Sequence, residues 1–445
     1  MNRFTRYLFA IPAILFSGFL AMPLRGQELV CKKKVFVSLA WSDIPVPFSI
    51  RTVGRTQVVA FYDEHRQLTV ALRTIDEAAF QYVKLDQWVG SDSHNGIALG
   101  IDPLGQIHLA ANMHASKMAY YRSSPKFDLK SFKRYDILNG NITSSVTYPE
   151  FLRREDGHLF FMFRDGKSGA GSEVIAEFDN RRNIWKNITE NYFLSGTKNG
   201  SPYIYGPVYA GDGAYHAIWT WRKTRFVEST HDIYYAQSRD LKHWFAYGKK
   251  LNFPIKEGDG ELVEEVPVGL GLTNINVKLG IDRNNNPLVT FARQDENGFI
   301  QVFLSRKSQN KWVNYRASDL KLKWSPSGGG SIEPELVIYP PKQGKDGLLL
   351  QDIIVNSSGK TCVINNDTYR FDTCGPLQRD TLNKQDNDGY PKDGLLPRVA
   401  VDQSNGVSPR YMLSWRTLPA NRDVKSDSMA LPSRLYVMPV GDNPC

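Results

Sequence analysis

Residues 93–114 read SHNGIALGIDPLGQIHLAANMH. Two apolar runs, Asn95 to Ile101 and Gln106 to Met113, flank the turn Asp102-Pro103-Leu104-Gly105. Pro103 presets φ and Gly105 supplies backbone freedom, so the stretch predicts a β-hairpin centred near Leu104. Folding about that centre sets position 94 opposite position 114. Opposed residues on antiparallel strands point to one face with Cβ atoms about 5 Å apart. The chain has only eight histidines. This hairpin brings two of them, His94 and His114, together at its open edge. Taken alone, the pair reads first as two surface histidines at strand ends.

The same pattern recurs: a strand, a turn rich in Asp, Asn and Gly, a second strand, and a third ending near Ser or Arg. FSIRTVGRTQVVAFYDEHRQLTVALR (48–73) precedes the hairpin segment (95–123). Further copies cover 148–166, 205–222 with 231–238, 276–307, 348–371, and 397–418 with 433–440. Seven copies at roughly 50 to 70 residues each, with no long helical pattern, predict an all-β chain: a seven-bladed β-propeller, one sheet per blade. SRDLKHW (238–244) resembles the Asp-box turn of sialidase-like propellers, which carries no chemistry. His108 and His216 each fall three residues after a turn glycine, which reads as a structural position. His65 and His243 lie in turns and read as exposed.

Residues 1–26 carry Arg3 and Arg6 and then an apolar stretch, Tyr7 to Ala21, too short to span a membrane comfortably. They read as a secretory signal peptide, leaving residues 27–445 as one propeller domain and placing the protein outside the cytoplasm, secreted or periplasmic. Without that segment 52 basic side chains face 46 acidic ones, a net +6. This excess suits an anionic ligand. No Lys/Arg tract suggests nucleic acid, and no later segment reads as a membrane span. A monomer is expected. Export permits disulfides. Cys362 and Cys374 flank VINNDTYRFDT as a local bridge, and Cys31 and Cys445 sit where they could close the ring.

The third copy, YPEFLRREDGHLFFMFRDGKSGAG, turns about Asp156 and so sets Tyr148 opposite Arg164. Two His, one Tyr and one Arg then converge from adjacent blades. Trp221 and Arg222 lie at the matching edge of the fourth blade. The glycines of GKSGAG would let a ligand approach the backbone. No Ser or Cys is paired with the histidines, and no obvious carboxylate pair suggests glycoside hydrolysis. Arg offers a planar fork for a carboxylate, and His and Tyr move protons. The set suits β-elimination at a uronic acid, which requires no cofactor; a structural metal stays open.

The segments SHNGIALGIDPLGQIHLAANMH, YPEFLRREDGHLFFMFRDGKSGAG, IWTWRK, HDIYYAQSRDLKHW and SPSGGGS resemble the BNR-4 repeat family of secreted seven-bladed propellers. The first two resemble catalytic segments of ulvan lyases, polysaccharide lyase families 24 and 25, and of related rhamnose–glucuronate lyases. The resemblance implies His94 and His114 as a catalytic pair, Tyr148 as acid/base partner and Arg164 as carboxylate neutraliser. Expected contacts to an acidic polysaccharide are Asn95, Trp221, Arg222, His231, Lys278 and Arg293. Glycoside hydrolase family 145 shares this fold but uses a first-blade histidine on the opposite face. Here that segment reads IPVPFSIRT, without histidine. The alternatives are that hydrolase, removing rhamnose from glucuronate, and a propeller that binds acidic glycan without turnover. Where relatives often carry Tyr-Pro-Arg-Gly-Pro this chain has YIYGP (203–207), so one substrate contact is expected to differ.

Overall fold

The computed structural model describes residues 34–138, 141–142, 145–196, 200–211, 213–330, 332, 334–344, 347–377, 394–402, 411–424 and 430–440. The leader segment, Cys31 and Cys445 lie outside the described residues. Seven antiparallel sheets form one ring, and no α-helix occurs among the described residues. Blade one comprises Ser49–Val53, Thr56–Tyr62, Gln67–Thr74 and Gln81–Trp88. Blade two comprises Ile97–Ile101, Ile107–Ala111, Tyr120–Ser124 and Asp128–Tyr135. Blade three comprises Val146–Arg153, Leu159–Lys167, Ala170–Asp179 and Ile184–Asn187. Blades four, five and six begin at Ser201–Tyr209, Val277–Ile281 and Leu336–Ile338. In blade seven, Leu396–Val401, Tyr411–Thr417 and Ser433–Pro439 are joined by Val35–Ala40 as the outermost strand. The two ends of the chain thereby close the ring.

Several of the recurring turns are built by an aspartate. Asp102 Oδ1 accepts from the amides of Leu104 and Gln106, while Gly105 adopts φ 73°. Asp63, Asp282 and Asp295 repeat the arrangement in blades one and five. Such side chains satisfy turn amides that the strands leave unpaired. In the Asp-box turn, Asp240 Oδ1 accepts from the amides of Lys242 and His243, and Trp244 is fully buried.

Between blades the core is aromatic. Phe151, Phe161, Phe178, Trp185 and Tyr120 pack where blades two and three meet. Burying one such ring contributes about 1.5–3 kcal/mol. Gly100 on the innermost strand is required there, because a Cβ would sit 2.7 Å from the Phe151 ring. His108 and His216 are buried repeat-equivalents, with Nδ1 at 2.7 Å from the Tyr120 hydroxyl and 2.6 Å from the Tyr235 hydroxyl. They are structural, as their placement after the turn glycine implies. Cys362 and Cys374 oppose each other on neighbouring strands of blade six and form a disulfide.

Candidate active site

The blade-two hairpin pairs Ile97 with Ala111 and Ile101 with Ile107, the register centred on Leu104. Beyond the strand ends the two imidazoles stack, with ring centroids 4.0 Å apart. Their loops are tied down from three sides. Asn112 donates to the Trp88 carbonyl and accepts from the Gly90 amide. The Ala115 amide donates to Thr147 Oγ1 in blade three. Ser93 donates through both N and Oγ to Asp423 Oδ1, 330 residues away in blade seven. The pair is therefore held by blades one, two, three and seven together.

Blade three departs from the expected register. From Arg153–Leu159 to Glu150–Met162 the strands pair about Asp156, but the pairing then slips, and Thr147 rather than Tyr148 opposes Arg164. Tyr148 occupies the resulting bulge with φ 55°. Bulges re-aim side chains, and this one sets the Tyr148 ring 5.8 Å from that of His94 and 4.8 Å from the Arg164 guanidinium. Arg164 also lies 5.5 Å from the Tyr203 ring. His94, His114, Tyr148 and Arg164 line one cleft of about 580 Å³.

Arg164 is only 1 % exposed, and none of its three guanidinium nitrogens has a hydrogen-bond partner among the described residues. Arg222, also buried and lining the cleft, is the contrast. It donates to Thr230 Oγ1, Asn274 Oδ1 and the Tyr203 hydroxyl. Glu173 is the register partner of Arg164 on the next strand. Burial pushes its carboxyl up, against the pull of Arg164, to about 7. Desolvation likewise pushes the Tyr148 phenol up, and the Arg164 charge pulls it part of the way back. As a residue Tyr148 is 42 % exposed, so solvent softens that shift.

The glycines after Arg164 serve the protein rather than a ligand. A Cβ on Gly171 would sit 2.6 Å from Arg164 Cδ, and one on Gly169 would strike the Thr224–Arg225 backbone. They seat the arginine and the fourth-blade loop that walls the cleft.

Several expected contacts lie elsewhere. Trp221 is buried in the core with 1 % exposure, because its strand position faces the sheet packing. Asn95 is buried, its carbonyl accepting from the Tyr62 hydroxyl. His231 is buried beside Asp232, at 3.1 Å. Arg293 is paired with Glu264 at 3.0 Å. Lys278 faces the Tyr205 ring, and burial brings its ammonium down to about 8. Tyr205 lines a second cavity along the innermost strands, with Arg51, Glu150 and Asp402 and with no histidine.

Sequence reasoning missed Asp92, Asp423, Ser168, Arg225, Phe226 and Asn274. Asp92 Oδ1 lies 2.8 Å from His94 Nδ1, and its Oδ2 lies 2.5 Å from His114 Nδ1. Asp92, His94 and His114 bring metal-competent atoms within 4.8 Å of one another. The Nδ1 atom of each ring already faces an Asp92 oxygen at hydrogen-bond distance. The SDS run preceding His94 was the signal for Asp92. Ser168, Arg225, Phe226, Asn274 and Gly328–Gly330 reach the cleft from loops far apart in sequence, which spacing does not reveal.

Comparisons with known proteins agree with this architecture. The solved polysaccharide lyase Uly1 is 13 % identical, with a TM-score of 0.61 over 92 % of this chain and 99 % of that one. A PL25 ulvan lyase bound to -[GlcA(1-4)Rha3S]- is 12 % identical, with a TM-score of 0.60 over 92 % and 96 %. At such identities the likeness establishes the shared fold. No curated protein matches the sequence. The family model described as BNR repeat-containing family member matches residues 56–320, well over half of the chain. The chain belongs to the BNR repeat-containing family.

Proposed function

We propose that this protein is an exported polysaccharide lyase that cleaves a uronate-containing glycan by β-elimination, with rhamnose–glucuronate linkages of the ulvan kind as the first substrates to try. The carrying observation is the Arg164 guanidinium, buried, charged and without a hydrogen-bond partner among the described residues, beside two imidazoles and a phenol. A buried arginine with no partner is built to receive an anion, and its fork matches a carboxylate.

In this reading Arg164 binds the uronate carboxylate and disperses the charge that develops there when the C5 proton leaves. A neutral imidazole of the His94/His114 pair takes that proton. The electron pair forms the C4–C5 double bond as the C4–O4 bond breaks. The Tyr148 phenol, held above its ordinary range and so protonated near neutrality, gives its proton to the departing O4. The products are a 4,5-unsaturated uronate and a shortened chain with a free hydroxyl. The similar solved lyases, one holding a glucuronate–sulfated rhamnose ligand, support the choice of substrate class.

The test is a panel of glucuronate-, iduronate- and galacturonate-containing polysaccharides with neutral glycans as controls. Ultraviolet absorbance of the unsaturated product should rise with at least one uronate and with none of the controls. Binding without any absorbance change would make the protein a non-catalytic acidic-glycan binder.

A further inference from the structure

Both imidazoles of the pair meet the same carboxylate through the same ring atom. Among the described residues no other acid serves two histidine rings in this way: His158 and His243 each meet one carboxylate, and His108 and His216 meet phenols. Asp92 is partly buried, which pushes its carboxyl up, but hydrogen bonds from His114 and His94 more than offset this and hold it well below the ordinary range. It is therefore ionised at any working pH. An ionised carboxylate only accepts hydrogen bonds, so both Nδ1 atoms must carry hydrogen. In the neutral imidazole the lone pair then lies on Nε2.

Resting on the lyase reading above, we propose that Asp92 is a positioning residue that fixes both His94 and His114 as Nδ1–H tautomers, so that Nε2 of each ring is the atom that exchanges protons with the substrate. One carboxylate thereby sets two bases at once and keeps their rings stacked. It also stabilises the imidazolium formed when either ring takes the C5 proton. The chain supports Asp92 in turn: its Oδ1 accepts from the His94 amide at 2.9 Å, and its carbonyl accepts from the Asn95 amide. The other charged or titratable groups facing the pair are Asp423, whose Oδ2 lies 3.5 Å from His94 Nδ1, Tyr148 and Arg164, with Arg222 and Arg225 further along the cleft. Asp423 is beyond hydrogen-bond reach of a good donor geometry and anchors Ser93 instead.

The experiment is Asp92→Asn, which keeps shape and the bond from the His94 amide but puts an amide donor against one Nδ1. In protein labelled with nitrogen-15 histidine, long-range proton–nitrogen spectra report which ring nitrogen carries hydrogen. His94→Gln and His114→Gln variants assign the signals. The wild type should show Nδ1–H for both rings, and Asp92→Asn should shift at least one to Nε2–H. Turnover on a uronate substrate should fall about 100-fold or more, since a wrong tautomer of a catalytic histidine costs up to about 10⁴ in kcat. KM should change by less than about threefold. Unchanged tautomers in Asp92→Asn, or turnover within about threefold of the wild type, would overturn the inference. A tautomer switch in a protein that eliminates from no uronate would leave the role of Asp92 standing and remove the lyase reading instead.

Discussion

Replacing Arg164 by Met separates a catalytic arginine from a structural one. The guanidinium is 1 % exposed and has no hydrogen-bond partner among the described residues. An ion taken out of water without such partners costs several kcal/mol. The tyrosine faces at 4.8 and 5.5 Å return about 0.5–2 kcal/mol each. Glu173 returns more when it is ionised, which is above about pH 7. At pH 6 the balance favours removing the charge, and Met fills most of the space. Arg164→Met should therefore melt no lower than the wild type at pH 6. Its activity should nevertheless collapse. A charge 4 Å from a developing anion is worth about 4 kcal/mol at an effective dielectric of about 20. Losing one preorganised stabilising donor likewise costs about 3–4 kcal/mol, so kcat should drop about 10²–10³-fold. The assay pairs thermal unfolding with initial rates of ultraviolet-absorbing product. A variant that melts well below the wild type at pH 6 while turnover persists would refute the reasoning and make Arg164 a packing residue.

Gly171→Ala should displace the Arg164 stem, since the new methyl would lie 2.6 Å from Cδ. A shift of about 1 Å in a catalytic group can cost about 10²-fold, so kcat/KM should fall by about 10- to 100-fold with the fold retained, and unaltered kinetics would show that the stem has room to move. Glu173→Gln tests the buried carboxyl next to it. The folded-state value of about 7 lies above the ordinary 4.5, so Glu173 contributes stability at low pH and loses it as pH rises from about 4.5 through 7, up to about 3 kcal/mol. Gln does not titrate; the variant's Tm relative to wild type should climb between pH 5 and pH 8, and a flat difference would contradict the assignment.

The fold was legible because each blade announces itself through short-range chemistry. Asp-rich turns such as that of Asp102, with alternating or apolar runs on either side, fix hairpins within about twenty residues. The hairpin register about Leu104 came through intact, and with it the His94/His114 contact. The outer fourth strands of blades one and two were less visible because they are half-exposed and polar, and the closure by Val35–Ala40 because its partner, Ser433–Pro439, lies far along the sequence. In the site, a uniform register placed Tyr148 directly opposite Arg164, whereas a bulge carries Tyr148 there by another route. The one local signal was Pro149 in TYPEF, which has no amide to give the ladder and sits in the bulge itself, but its presence does not say how far the register slips. Gly328–Gly330 reach the cleft, and Asp423 reaches Ser93 behind it, only through long loops and ring closure, contacts that local spacing does not encode. Trp221 shows the converse limit: an aromatic at a blade edge reads alike whether it faces sugar or core, and here it faces core.

The most direct test of the account is the fate of solvent oxygen in the product. Wild-type protein and His94→Ala are incubated with a glucuronate–rhamnose polysaccharide in oxygen-18 water, and early products are read by mass spectrometry alongside ultraviolet absorbance. To keep exchange at the reducing end out of the comparison, products are reduced with borohydride at once. Elimination breaks C4–O4 without adding water, so the account predicts absorbing, unlabelled oligosaccharides from the wild type and neither absorbance nor product from His94→Ala. Saturated rhamnose released with one solvent oxygen would contradict the lyase assignment and put a hydrolase in its place.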